Sequence, residues 1–380
     1  MFFDRSCVCE SDLVKSGLPI SLIVTPLRNV VQTINGGDEK ILIYELMVTN
    51  SSALFSYSVE AITVKLGVDV SECVDDCVDG YVYRTIYGKA LASMFSPLSE
   101  IVPIVPHNPT LFPNETGIFF MYLSFPICTR FSGELINVLH VQKDDEVSEM
   151  DRLIMPKMCV ADRHVVIKPP LKGGKWIAVG SLSRDGVHRR SIFVIDGEMI
   201  ISERYAIDFI LYGEKGLFDG DYLNLTNWYA YGKGIYASAD GEIVAARDGI
   251  PDNVPYVVPV MPTEDYEGNC VIIKSGKVYL FYAHMIPGTI VVKVGDKVKV
   301  GDYLGKLGNS GNTDMPHLHF HVMDGNSSLA SESIAYTFDK YIRYNHTVED
   351  SDIMNMKIVV HTETLVCDQL PLVEELCDFY

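Results

Sequence analysis

An all-β chain is what this sequence predicts, and three observations carry the expectation. Short runs rich in β-branched and aromatic residues recur in both halves of the 380 residues, and Gly, Pro, Asn or Asp stands at many of their ends. The sequence Val-Lys-Val-Gly-Asp occurs twice, at 292–296 and 298–302, which predicts two tight turns around short strands. Three histidines fall in five residues at 317–321, an alternation with the period of a strand.

In chain order, residues 41–50 read as a strand that ends in a turn, and 59–66 alternate in the same style. Residues 117–125 form a strongly apolar run behind a Pro113-Asn114-Glu115-Thr116-Gly117 turn, and 135–141 follow as a further strand. Short strands at this spacing predict an immunoglobulin-like β-sandwich over residues 1–165. It holds no catalytic cluster, so its expected role is docking, substrate presentation or shielding. Residues 270–273, 278–282 and 289–294 read as strands of a second β-domain, expected over 166–338. The extension 339–380 is expected to pack back onto one of the two.

Composition bounds the function. With 48% hydrophobic and 21% charged residues the chain reads as soluble and globular. No stretch approaches 18 uninterrupted apolar residues, so no transmembrane helix is expected. A formal charge of −19, with no stripe of Lys and Arg, argues against nucleic acid. Nine cysteines, at 7, 9, 73, 77, 128, 159, 270, 367 and 377, are scattered, and neither Cys7-x-Cys9 nor Cys73-x3-Cys77 couples to a second pair at structural-zinc spacing. Disulfides fit an exported protein and free thiols fit one that is not. Residues 1–9 lack the basic start and apolar core of a secretion signal. Asn50, Asn114, Asn224, Asn326 and Asn345 begin N-x-S/T sequons, which matter only in a glycosylating host.

The densest chemical signal is His317-Leu318-His319-Phe320-His321, directly behind Gly308-Asn309-Ser310-Gly311-Asn312-Thr313-Asp314-Met315-Pro316. On a strand, 317, 319 and 321 share one face while Leu318 and Phe320 face the core. Imidazoles side by side can hold zinc and leave another nitrogen to bond water or a substrate oxygen. The turn before them supplies backbone amides and positions that favour positive φ.

Together with Gly268, Asn269, Tyr282-Ala283-His284-Met285, the 294–302 turns, Tyr231-Gly232-Lys233-Gly234-Ile235-Tyr236-Ala237 and Ala239-Asp240-Gly241-Glu242-Ile243-Val244, this run resembles the lysostaphin-type (LytM-like) zinc endopeptidases. Farther upstream, His188-Arg189-Arg190 and Arg204-Tyr205-Ala206-Ile207-Asp208-Phe209 resemble a subgroup of larger proteins that carry this domain. The likeness covers roughly 166–338. It implies an antiparallel β-domain of the duplicated hybrid motif kind, and zinc held by two imidazoles and one carboxylate with a fourth position left to water. Carried over by motif, His319 is a ligand and Asp208 is the carboxylate. An Asp208 paired with Arg204 is the structural alternative. The resemblance places its other histidine ligand four residues before the aspartate, where this chain has Arg204, a cation with only donors. His188 is the substitute, against the plainer expectation of a surface histidine beside two arginines. His284 and His317 would flank the reacting carbonyl as catalytic residues, and His321 would be structural or support a ligand.

The chain is therefore expected to be a zinc-dependent endopeptidase acting on Gly- or Ala-rich peptides such as peptidoglycan cross-bridges, outside the cytoplasm as the resemblance implies. The alternative is a catalytically degenerate LytM-like binding or regulatory protein, with Arg204 as the sign of loss. A carrier or phosphotransfer domain is a third class, disfavoured because no Met-Lys-Met-like tip stands in the 295–302 turns.

Overall fold

The computed structural model describes residues 20–68, 77–78, 80–100, 107–144, 150–352 and 354–380. The segment 1–9 and Cys7, Cys9 and Cys73 lie outside the described residues. The protein is all-β: among the described residues the α-helical segments are only Gly88–Met94 and Val187–Arg190. Cys128 is disulfide-bonded, whereas Cys159, Cys270, Cys367 and Cys377 are free. The chain divides into two compact units, one of residues up to Ile34 with Asp38–Arg163, the other of Asn35–Gly37 with His164–Tyr380.

In the first unit, Glu39–Asn50 pairs antiparallel with Thr116–Pro126 along its length, and Tyr57–Val68 lies between Tyr81–Tyr87 and Phe131–Lys143. Alternate residues enter one apolar cluster: Leu42, Tyr44 and Leu46 from the first strand, Ile62, Val64 and Leu66 from the third, and Phe119, Met121 and Leu123 from the second. Ile41, Ile43, Ile118 and Phe120 are buried as well, so the first pair is covered on both faces and reads as a continuous apolar run. The hydroxyl of Tyr44 in this apolar set donates to Asn137 Oδ1 at 2.8 Å, which removes the cost of burying it unpaired.

The second unit contains two two-stranded sheets and an eleven-stranded sheet among the described residues. Its order runs Val165–Ile167, Tyr336–Asp350, Leu376–Asp378, Lys175–Val179, Ile207–Tyr212, Leu318–Met323, Val278–Met285, Asn269–Ser275, Gly241–Arg247 and Lys297–Val298, with Lys357–Gln369 paired to Tyr336–Asp350. The Tyr336–Asp350 strand runs straight through the expected 338/339 boundary, because its partners Val165–Ile167 and Leu376–Asp378 come from both ends of this unit. Period-two alternation divides the central strands. Ile207, Phe209, Leu318 and Phe320 turn inward, where Phe209, Phe320, Phe338 and Phe379 pack with ring centroids 5.4–6.2 Å apart. Full burial of each such ring is worth roughly 1.5–3 kcal/mol. Asp208 and His319 take the other face.

Two strand expectations need correction or refinement. Residues 289–294 form no strand. Lys293 N donates to Asp296 Oδ2, Gly295 N to Ile243 O and Asp296 N to Lys293 O, so the turn takes up backbone groups that a strand ladder would use. Both Val-Lys-Val-Gly-Asp repeats do make turns: Gly295 and Gly301 have φ of 94° and 85°, and Lys299 N donates to Asp302 Oδ2 as Lys293 N does to Asp296.

Gly268 and Gly311 meet backbone to backbone beside the cleft, both at positive φ. A Cβ on Gly268 would overlap the Ser310 carbonyl, whereas a Cβ on Gly276, also at positive φ, would meet open space. Gly276→Ala should therefore cost only the left-handed penalty of about 1–2 kcal/mol. Gly268→Ala should cost more than about 3 kcal/mol, since overlap with backbone adds to that penalty. Urea unfolding of both variants checks this, and equal losses would contradict it.

Candidate metal centre

The centre is built by register. Ile207–Tyr212 pairs with Leu318–Met323 so that Asp208 stands directly opposite His319, and Val278–Met285 on the other side places Ala283 opposite His319. Lys175–Val179 pairs Val179 with Asp208, so the turn residue Gly180 comes beside the carboxylate. A bulge supplies the next histidine. Asn269 pairs with Met285 but Val271 with Tyr282, leaving Ala283 and His284 opposite Cys270 alone. His284 takes a φ of 63° there, a conformation a histidine adopts at a cost.

His188 arrives by a different route from the one expected. It lies on the single helical turn Val187–Arg190 rather than a neighbouring strand, and it is buried, as are Arg189 and Arg190. Its Nε2 is 3.3 Å from Asp208 Oδ2. His319 Nδ1 is 2.9 Å and His317 Nε2 3.4 Å from Asp208 Oδ1. Arg204, also buried, donates to Glu332 Oε2 at 2.6 Å, so a carboxylate on another strand connection accepts its charge.

Backbone carbonyls set the histidine tautomers. A carbonyl oxygen only accepts, so the ring nitrogen facing it carries the hydrogen. His188 Nδ1 donates to Gly180 O at 2.9 Å, His284 Nδ1 to Ser310 O at 2.8 Å and His317 Nδ1 to Met315 O at 2.9 Å. In the neutral rings this leaves three Nε2 lone pairs for the cleft. The loop that carries Ser310 and Met315 is itself held by hydrogen bonds: Ser310 Oγ accepts from Asn269 N and donates to Met285 O, and Asn253 Nδ2 donates to Gly311 O and Thr313 O.

His188, Asp208 and His319 offer ligand atoms that all lie within 4.8 Å of one another. Donors around a tetrahedral zinc with bonds near 2.1 Å stand roughly 3.4 Å apart, close to the separations found. Two imidazoles and a carboxylate are a zinc-type donor set, so the residues fit the metal the sequence suggested. Asp208 is drawn two ways. Burial pushes its carboxyl up, but the facing His188 and His317 outweigh that and hold it well below the usual range. For His188, burial pulls down while Asp208 and Glu203 raise, and the net result is a rise to about 9. His317 is likewise pulled down by burial and raised overall by Asp208 and the Met315 carbonyl. His284 goes well below its ordinary value, through burial and then the neighbouring His317 and His319. His321 does the same, through burial and then His319 and His188.

The cleft around this cluster is lined also by Glu203, Glu267, Tyr266, Asn312, Asp314 and Phe193. None of these was singled out in the sequence. Glu203 stands next to Arg204, and Asn312 and Asp314 lie inside the flagged turn, which were the available signals; Glu267 and Phe193 offered none.

Residues 228–331 match the model of peptidase family M23. The match contains His284, His317 and His319 and begins after Asp208. Two curated relatives agree. One is named a peptidoglycan DD-endopeptidase, ShyA of Vibrio cholerae serotype O1, 36% identical over 93 residues, which are 24% of this chain and 18% of the relative. The second is named an uncharacterized metalloprotease, of Buchnera aphidicola subsp. Baizongia pistaciae, 35% identical over 81 residues, or 21% and 19% of the two chains. Residues 228–331 thus carry the likeness to peptidase family M23. The matched stretch spans about a fifth of each curated relative. Among solved structures, the catalytic domain of lysostaphin from Staphylococcus simulans aligns at 23% identity over 42% of this chain and 88% of its own, with a TM-score of 0.24. No helix among the described residues is long and apolar enough to cross a membrane.

The second unit without metal should show a definite pH response. A His188 raised to about 9 contributes stability that is complete below its unfolded value near 6.5 and lost as pH rises through 9. The depressed Asp208 contributes stability present above its unfolded value near 3.9 and lost in acid. The melting temperature in chelator should therefore fall from about pH 6.5 toward pH 9, and fall also below about pH 6.5, where His284 and His321, held well below their ordinary value, take up protons on unfolding. Added zinc, which must displace the His188 proton, should stabilise increasingly over the same upper range. A flat profile in chelator between pH 6.5 and 9 would contradict the His188–Asp208 coupling.

Proposed function

We propose that the second unit is a zinc-dependent endopeptidase whose ligands are His188, Asp208 and His319. The convergence of these three side chains is the observation that carries the proposal. Arg204 does not argue against it, because its charge is met by Glu332 at 2.6 Å and His188 supplies the second imidazole. Held there, zinc would supply Lewis acidity to a water and to the scissile carbonyl.

The chain's own groups do the rest. His284 Nε2, kept bare by burial and by the Nδ1 bond to Ser310, accepts a proton from the attacking water. His317 Nε2 faces the same cleft, 3.4 Å from Asp208 Oδ1, and in its protonated form donates to the oxygen that becomes negative. Environments that push two imidazoles in opposite directions are how one site keeps an acid and a base at the same pH. The substrate in this proposal is a short Gly- or Ala-rich peptide of the peptidoglycan kind, supported by the name of the Vibrio cholerae relative.

Elemental analysis of the purified protein should find about one zinc per chain, with a sharp fall in His188→Ala. His284→Ala and His317→Ala should retain zinc and lose on the order of 10²- to 10⁴-fold in hydrolysis of peptidoglycan or a pentaglycine peptide. Loss of zinc from either of those two would mean that ligand and catalytic roles have been exchanged. No zinc after reconstitution would sink the enzyme proposal in favour of a degenerate binding protein.

A further inference from the structure

We propose that His321 is a positioning residue for His319, accepting at its Nδ1 the hydrogen that His319 carries on Nε2 when His319 Nδ1 faces a metal. The inference rests on the zinc proposal above. His319 presents Nδ1, not Nε2, toward Asp208, at 2.9 Å. A neutral imidazole that gives its Nδ1 lone pair to a metal must hold its hydrogen on Nε2. His319 is buried, so that hydrogen needs a partner inside the protein.

Two candidates face it. Glu203 Oε1 is 3.9 Å away, beyond hydrogen-bond reach, whereas His321 Nδ1 is at 3.0 Å. The two rings lie two residues apart on one strand and meet edge to face, with centroids 5.1 Å apart and planes at 88°. His321 is itself 1% exposed and packs against the Phe281 ring at 5.1 Å, which restrains its plane. Its Nε2 has no hydrogen-bond partner. A histidine kept for its own hydrogen bonding would satisfy both nitrogens; this one is satisfied only on the side that faces His319. The other histidines of the centre lean on backbone carbonyls at Gly180, Ser310 and Met315, whereas His319 leans on a side chain, which makes its orientation open to mutation.

The test measures zinc affinity by chelator competition on the full chain, together with ring-nitrogen NMR of the zinc-loaded protein. His321→Leu should weaken zinc binding by about 10- to 100-fold. His321→Asn, whose side-chain oxygen can accept near the position of Nδ1, should restore it to within a few-fold. In the loaded unchanged protein, His319 and His321 should each carry hydrogen on Nε2. A His321→Leu variant that binds zinc as tightly as the unchanged chain overturns the proposal and leaves the zinc centre standing, as does a loaded protein whose His321 hydrogen lies on Nδ1. That NMR result also decides the matter if His321→Leu does not fold. An unchanged chain that takes up no zinc overturns the zinc proposal, and this one with it.

Discussion

One largely buried carboxylate organises the second unit. Asp208 sits on a central strand with imidazoles of His188, His317 and His319 within 3.4 Å. An isolated carboxylate at such depth would be expensive enough to take up a proton. It stays ionised because the facing His188 and His317 outweigh that cost, and they come from two separated stretches of chain. The His188 helical turn, the Gly180 turn and the His317–His319 run are therefore held together by the same charge they serve.

That arrangement depends on sheet register more than on any single contact. A slip of one residue between Ile207–Tyr212 and Leu318–Met323 would carry Asp208 to the face now filled by Phe209 and Phe320. The aromatic packing on that inner face resists such a slip, since it would turn large rings toward the cleft. Strand Lys175–Val179 adds a second constraint by pairing with Asp208's strand on its other edge while Leu376–Asp378 pairs with it in turn. The last residues of the chain thus belong to the support of the centre, although they contribute no ligand.

Much of this was legible in the sequence, and the gaps have physical causes. Strand character at 270–273 and 278–282 was visible because β-branched and aromatic residues pack on a pleated surface. His319, His317 and His284 were visible because their motifs are local. Residues 289–294 were misread because β-branched composition does not report where backbone hydrogen bonds go, and here Asp296 and Ile243 take them. The approach of His188 could not be read at all: it follows from a four-residue helical turn whose direction is set by tertiary packing. Arg204 looked like a lesion because its partner Glu332 lies 128 positions away in sequence. The carbonyls that orient His188, His284 and His317 are backbone atoms, which side-chain patterns do not reveal.

The boundary of the family match sharpens the same point. The M23 segment 228–331 contains the bulge that aims His284 and the turn that aims His317, together with His319 itself, but neither Asp208 nor His188. Taken alone it would present a single ligand from the proposed set of three. The other two are delivered across the sheet by an upstream strand and an upstream turn. Orientation of imidazoles can therefore be assembled locally by glycine-built loops, whereas a centre of mixed charge requires long-range pairing. In the proposed centre His188 stands in for the imidazole that the resemblance puts at position 204, with the downstream motif unaltered, which requires that the donor come from an element packed against the Asp208 strand. Gly180 meets that condition here: its carbonyl orients His188 while its neighbour Val179 pairs with Asp208, so one short segment ties the proposed substitute ligand to the carboxylate with which it would share a metal.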